Sequence, residues 1–394
     1  MADFHWPPAD KRQLLGKRIS RLDGPWKATG TATYTYDVHR EGMLFGRMAL
    51  SPHAHAKIVS IDTSAAEKMP GVKAVDIIVD PGKEVLWAGQ EIVSLAAETD
   101  DQARDAVRAI HIEYQVLPYL VSDVAPSQAP EGFIQKLNEQ TDSDPDSAFQ
   151  QSDVTHEGEY GTAVITHCCL ESHGQVCEWQ GDQLTVWAST QNVSGIPGEL
   201  ATGLNVPAAN IRVITPVMGG GFGSKFGADT WGKSCAQLAR KANRPVKMML
   251  DRDHELNGAG MRPSIYAKVK VAAKRDGTLT AWQSESWGTS GPGGGNSAQL
   301  PYIFQIPYRR QHTAVHTNVG PARAWRAPNH PQWCLVTMGA LDDLSAKLNM
   351  DPLDFFRKNI AKTGARSQNY SEELEIAAQL MDWKKKWQPR GKSA

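Results

Sequence analysis

Short alternating apolar runs are interleaved with helical spacings over the first third of the chain. Lys57–Ile61 reads as a strand, and Ser64 with Glu67 as the capping box of a short helix that stops at Pro70-Gly71. Val72–Val79 and Glu91–Ala97 read as further strands. Thr99-Asp100-Asp101-Gln102 opens a helix whose Ala103, Ala106, Val107 and Ile110 share one face, and Ile112, Tyr114 and Val116 then alternate as a strand. Upstream, Arg21–Tyr34 is expected to be a turn feeding an alternating strand, and residues 1–15 a polar arm, mobile or wrapped on a partner.

This order predicts an α/β domain over residues 16–120. A linker rich in Ser, Asp, Gln and Pro follows over 121–153, broken by the amphipathic piece Gly132–Leu137. Residues 154–394 predict a second, mixed α+β domain, so the class of the whole chain is α+β. Its expected strands are Thr166–His173, Val176–Trp179, Val186–Thr190, Ile211–Ile214 and Val246–Leu250, the last leading into an Asp251–Glu255 turn. Alternation at Ile265, Ala267, Val269 and Val271 ahead of Asp276-Gly277 marks a hairpin. A helix is expected from Asp229 to Arg244-Pro245, and a surface loop at Gly291–Gly295. Two more helices carry Met338, Leu341, Leu344 and Leu348, then Leu353, Phe355 and Phe356 behind Asp351-Pro352.

At 394 residues, two or three domains are expected, and 41% hydrophobic with 22% charged residues is ordinary for a globular protein in water. A net charge of -1 gives no electrostatic argument for nucleic acid or an anionic membrane, and no apolar run is long enough to span a bilayer. The start of the chain lacks the basic and apolar regions of an export signal, so the cytoplasm is expected, with export on a signal-bearing partner to the periplasm as the alternative. Five cysteines without a Cys-x-x-Cys pair read as reduced thiols rather than an iron–sulfur or zinc site. His53 and His55 sit at a strand entry without a third ligand, and His167, Glu171 and His173 lack the helix that a zinc motif needs.

Candidate chemistry concentrates at Met218-Gly-Gly-Gly-Phe222-Gly-Ser-Lys225-Phe226-Gly227. Its glycines let backbone N–H groups approach a ligand, and a strand before and a helix after make it an anion or cofactor cradle. Ser224 precedes Lys225, which reverses the order of a phosphate-binding Walker loop, and the Gly-x-Gly-x-x-Gly spacing fails as well.

Together with Ala188-Ser-Thr-Gln191-Asn192 and Arg323-Ala-Trp-Arg326-Ala327-Pro328-Asn-His-Pro-Gln332, this loop resembles the molybdopterin-binding subunit of the xanthine dehydrogenase/aldehyde oxidase family, over roughly residues 16–390. The resemblance implies a hammerhead-like N-terminal domain and a first molybdenum-cofactor domain. It implies a molybdenum-pyranopterin cofactor, expected in the cytosine dinucleotide form, with [2Fe-2S] on a small partner subunit and FAD on a medium one. Gln191, Gly220, Gly221, Phe222, Gly223, Arg326 and Ala327 would hold the cofactor, Gln191 by donating to the oxo ligand, and no side chain would bond the metal.

Phe226, Trp325 and Pro328 are expected to line the substrate pocket. Phe226 stands where purine-type members carry a glutamate, and Met261 where a nearby arginine is expected, which favours an aldehyde or an aromatic ring over xanthine. Ala327 replaces the cysteine of the copper-containing branch. The family's general base is a glutamate near the end of a longer subunit, and Glu171, Glu178, Glu199 and Glu255 match no such motif. The base is therefore expected on another polypeptide or on a C-terminal half missing from this chain. The remaining alternatives are a structural or assembly subunit and a nucleotide-binding loop.

Overall fold

The computed structural model describes residues 6–294 and 298–390. Residues 1–5 of the expected arm and Gly295 of the expected glycine-rich loop lie outside them.

One seven-stranded mixed sheet organises the fold. In spatial order it runs Ile211–Ile214, Gln183–Ala188, Gly174–Gln180, Val246–Met249, Leu44–Leu50, Glu91–Ala97 and Val72–Ile77. Its middle seam is the parallel pairing of Leu44 with Val246 and Phe45 with Lys247, so strands from both sides of segment 121–153 share one sheet. The amphipathic helix Asp229–Ala242 packs across this sheet and buries Trp231, Cys235, Ala236, Leu238 and Ala239 against Leu44, Val186 and Val246. Ile196–Leu204 adds Ile196 and Leu200 to the same core.

A second sheet, in the order Ile134–Lys136, Tyr308–Val315, Leu279–Gly288, Ile265–Ala273 and Val154–Thr162, is covered by the helix His330–Lys347. Trp282, Val269, Val271, Leu341, Leu344 and Phe355 form that core. A three-stranded sheet of Glu84–Val85, Ala56–Asp62 and His111–Val116 completes the N-terminal region. The α+β class therefore holds.

Several local expectations change. Arg21–Tyr34 contains no strand. Pro25 sits in the first turn of a helix, Gly24–Ala28, and the Thr and Ala residues that alternate after it are too small to build a buried face. Thr63 rather than Ser64 stands at the N-cap of the 64–67 helix, and its hydroxyl donates to the Glu67 carboxylate at 2.7 Å instead of capping a backbone N–H. Residues 167–173 form a loop in which Cys168 takes φ 45°, and the strand before Gln191 ends at Ala188. Asp251 caps a helix, Arg252–Asn257, where a turn was expected. Segment 121–153 is tied down, since Ile134–Lys136 and Gln140–Asp142 both pair with Tyr308–Val315. The helix Ser367–Leu380 buries no residue, so it carries no apolar stripe by which a periodicity argument could find it.

Candidate active site

Ile211–Ile214 delivers the chain into the glycine loop, and Asp229 begins the helix that leaves it. Glu199 fixes that exit by accepting from the N–H groups of Ala228 (2.8 Å) and Asp229 (3.1 Å). The loop's entry is fixed by Glu171, which accepts from Gly219 N–H at 2.7 Å, Ser189 Oγ at 2.9 Å and Thr35 N–H at 3.0 Å.

Lys225 is the loop's internal post. It is 1% exposed, and its Nζ donates to Ser189 Oγ at 2.6 Å, Glu171 O at 2.7 Å and Ser172 O at 3.3 Å, with the Glu171 carboxylate at 3.9 Å. Burial pulls its pKa below the usual lysine range, while the Glu171 charge works the other way. With its ammonium spent on these acceptors, Lys225 cannot reach a nucleotide phosphate, and the nucleotide-loop reading loses its central residue.

Gln191 is locked to the loop from the other side. Its side-chain amide oxygen accepts from Gly223 N–H at 2.7 Å and Lys225 N–H at 3.4 Å, and its backbone N–H donates to Lys225 O at 2.8 Å. A backbone N–H can bond only the oxygen of the amide, so this contact fixes the amide's orientation. Its nitrogen is left as a donor with no partner among the described residues.

A Cβ on Gly221 would stand 2.5 Å from that Gln191 oxygen, and one on Gly223, at φ +111°, would overlap the Ala324 carbonyl. This close approach brings the second motif against the first. Arg326 N–H donates to Phe222 O at 2.7 Å, and Arg323 joins Ser224 O (3.1 Å) to the Asp229 carboxylate (2.8 Å). Arg262 holds Arg326 O at 2.9 Å and lies over the Trp325 ring at 4.9 Å, and His167 stacks on Trp325 at 4.4 Å while bonding Ala324 O at 2.8 Å. Burial lowers the pKa of His167, which favours the neutral ring.

The result is a cavity of about 520 Å³ into which Gln191, Gly220, Gly221, Phe222, Gly223, Phe226, Trp325, Arg326 and Pro328 all project. Ala327 stands outside this lining, with φ 59° and its carbonyl turned to Arg262 at 3.4 Å. The N–H groups of Gly220, Gly221 and Phe222 donate to nothing among the described residues, whereas those of Gly223 and Arg326 are spent within the protein. Phe222 and Phe226 are 45% and 49% exposed, so the cavity offers apolar surface beside a row of free donors.

Met218 and Ala324, which lie inside the motifs, also line it, as do Arg21 and Lys27, which were not expected from the sequence. Arg21 and Lys27 belong to no motif, and only the packing of the N-terminal segment brings them there. Of the four glutamates, Glu171 and Glu199 brace the loop, Glu178 pairs with Arg40 at 2.8 Å, and Glu255 is buried against His173 Nδ1 at 2.8 Å. Burial works to raise the Glu255 pKa, but the His173 hydrogen bonds and charge together with the Lys225 charge outweigh it and hold the carboxyl below its ordinary value. No group of three or more potential metal ligands occurs among the described residues, and none of their helices is long and apolar enough to cross a membrane.

Comparison with known proteins agrees with these motifs. The family described as molybdopterin cofactor-binding domain matches residues 126–360, and that described as aldehyde oxidase and xanthine dehydrogenase, a/b hammerhead domain, matches residues 29–80. The chain is 31% identical over 370 residues to the aldehyde oxidoreductase molybdenum-binding subunit PaoC of Escherichia coli, covering 88% of this chain but only 50% of the relative. It is 30% identical over 389 residues to the nicotinate dehydrogenase large molybdopterin subunit of Eubacterium barkeri, covering 90% of this chain and 91% of the relative. The crystal structure of the aldehyde oxidoreductase from Desulfovibrio gigas superposes with a TM-score of 0.74 at 27% identity, over 89% of this chain and 44% of that one. The chain thus spans about half the length of one curated relative and nearly all of another.

Proposed function

The chain belongs to the aldehyde oxidase/xanthine dehydrogenase family of molybdopterin-binding proteins, and from that premise we propose that it holds one side of a molybdenum-pyranopterin cofactor within a multi-subunit hydroxylase. One observation carries the reading. Three consecutive backbone N–H groups, Gly220 to Phe222, are left without partners beside the free amide nitrogen of Gln191, at a cavity walled by Phe222, Phe226 and Trp325. Such a row suits the oxygen and sulfur acceptors of the cofactor, and the glycines leave no Cβ in its way.

The bound cofactor supplies the redox centre at which an aldehyde or an aromatic N-heterocycle is hydroxylated with oxygen from water. This chain's part is to orient. Glu171 and Lys225 fix the loop, Gln191 offers a donor whose direction Gly223 sets, and Phe226, Trp325 and Pro328 shape an apolar pocket. The general base belongs to a second polypeptide or a C-terminal half, since each glutamate placed near the loop is spent on structure. Gln191, Gly220, Gly221, Phe222 and Arg326 are the cofactor contacts, with Ala327 behind them through its loop. The cofactor is expected in its cytosine dinucleotide form, with [2Fe-2S] and FAD on partner subunits and the complex in the cytoplasm.

The test is molybdenum and pterin analysis of the chain purified from its native host with whatever accompanies it. Near one molybdenum per complex, with a partner chain that supplies a general base, supports the hydroxylase. Both halves present without either component, after cofactor loss has been ruled out, leaves the structural or assembly role instead.

A further inference from the structure

The cavity's charged lining is of one sign. Arg21, Lys27 and Arg326 line it, and no carboxylate does. Arg21 and Lys27 come from the N-terminal segment and are joined through Asp23, which accepts from Arg21 twice at 2.9 Å and pairs with Lys27 at 2.8 Å. Two cations on one anion leave that unit with one net positive charge. Arg326 bonds only through its backbone among the described residues and makes no ion pair or side-chain hydrogen bond, so it adds a second. Between these charges the walls are apolar: Met218, Phe222, Phe226, Trp325 and Pro328.

An apolar slot with a cationic rim discriminates by charge at the outer end of its ligand and by shape at the inner end. Resting on the functional reading above, we propose that this cavity takes an anionic aromatic substrate, whose ring packs on Phe226 and Trp325 and whose carboxylate meets the Arg21–Lys27 rim. Arg326 lies on the loop assigned to the cofactor. The N-terminal pair lies on a separate element and remains free to read the substrate. Asp23 already ties the two cations together and leaves one positive charge uncompensated, so an arriving carboxylate meets a linked positive unit rather than two independent side chains. Partly exposed ion pairs of this kind are worth up to about fivefold in affinity.

The shared chemistry, an anion on Arg21 and Lys27, could equally come from the cofactor's phosphate, and one experiment separates the two sources. Binding of 2-naphthoate and of its neutral isostere 2-naphthamide is measured by fluorescence on the full chain with its co-purifying partners. The same is done for the R21Q/K27Q variant, and molybdenum and pterin are assayed on each preparation. Arg21 is exposed, with 76% of its side chain accessible, and Lys27 partly so, so the variant is expected to fold. The expected result is at least threefold tighter binding of the naphthoate, a gap that shrinks with added salt and vanishes in the variant.

Equal affinities in the natural protein, or a gap that survives R21Q/K27Q, overturn the proposal. So does a variant that loses molybdenum and pterin while keeping the naphthoate gap, which would assign the rim to the cofactor's phosphate. A naphthoate preference that depends on Arg21 and Lys27 in a complex lacking molybdenum and pterin would support the charge selection while the hydroxylase reading fails.

Discussion

Replacing Lys225 by Met tests whether the glycine loop is held by a buried ammonium. Met matches the length of the stem but removes every donor, leaving Glu171 O, Ser172 O and Ser189 Oγ without the bonds they accept at 2.7, 3.3 and 2.6 Å. The Glu171 carboxylate, with 4% of its side chain exposed, also loses the cation 3.9 Å away. Removing one partner of a buried ion pair destabilises by about 3–5 kcal/mol. Glu171 keeps three donors, Thr35 N–H, Gly219 N–H and Ser189 Oγ, which places the expected loss near the lower end, about 3 kcal/mol. Equilibrium urea unfolding followed by tryptophan fluorescence measures it. E171Q and the double variant complete a cycle whose coupling should reach at least about 1 kcal/mol. A K225M midpoint within about 1 kcal/mol of the natural protein would refute the reasoning, because it would mean that the ammonium contributes no more than its desolvation takes away.

Q191E keeps the oxygen that Gly223 needs but lacks the amide donor, whereas Q191A loses both. If the donor acts on the cofactor, Q191E should retain molybdenum and slow turnover by about a hundredfold, and Q191A should also lose molybdenum, as metal analysis beside steady-state rates would show. In G223A, the added methyl meets the Ala324 carbonyl at a left-handed φ, so the 323–327 loop must move; molybdenum content should fall severalfold, and a variant that stays fully loaded would speak against the close approach. His312 is buried with Nδ1 2.9 Å from Ser286 Oγ, and burial pushes its pKa down to about 4 from 6.5. The folded state binds fewer protons there, so stability is full above pH 6.5 and declines as the pH falls toward 4, by roughly 3 kcal/mol. The natural protein should lose that much more than H312L between pH 7.5 and pH 4, read from unfolding midpoints.

How much of this was legible depended on whether the signal was local. The 91–97 strand, the 100–108 helix with its Thr99 capping box and the 265–288 hairpin follow from side chains adjacent in sequence, and they formed where the pattern placed them. The cavity's core residues were legible because three short motifs name them. Arg21 and Lys27 were not, since no motif names them and the strand expected after the turn at Gly24-Pro25 did not form. Glu171 and Lys225 were identified as residues but not as a pair. They are 54 positions apart, and their loops come together through the pairing of Gln183–Ala188 with Ile211–Ile214 and with Gly174–Gln180, which in turn pairs with Val246–Met249.

That pairing also decides what the N-terminal region is for. Because Leu44 and Phe45 lie in parallel register with Val246 and Lys247, the first strand of the N-terminal region is an interior strand of the sheet that carries the site. The segment just before it is pinned twice more. Thr35 N–H donates to Glu171, and Lys247 Nζ reaches Tyr36 O while lying 4.8 Å over the Tyr36 ring. One contact ends on a residue that braces the glycine loop and the other on the strand that leads to the Arg252–Asn257 helix. A shift of the 34–37 segment would therefore reach Gly219 through one carboxylate, Glu171. The two sequence regions thus build one site, with the C-terminal part supplying its floor and the N-terminal part its brace and charged edge.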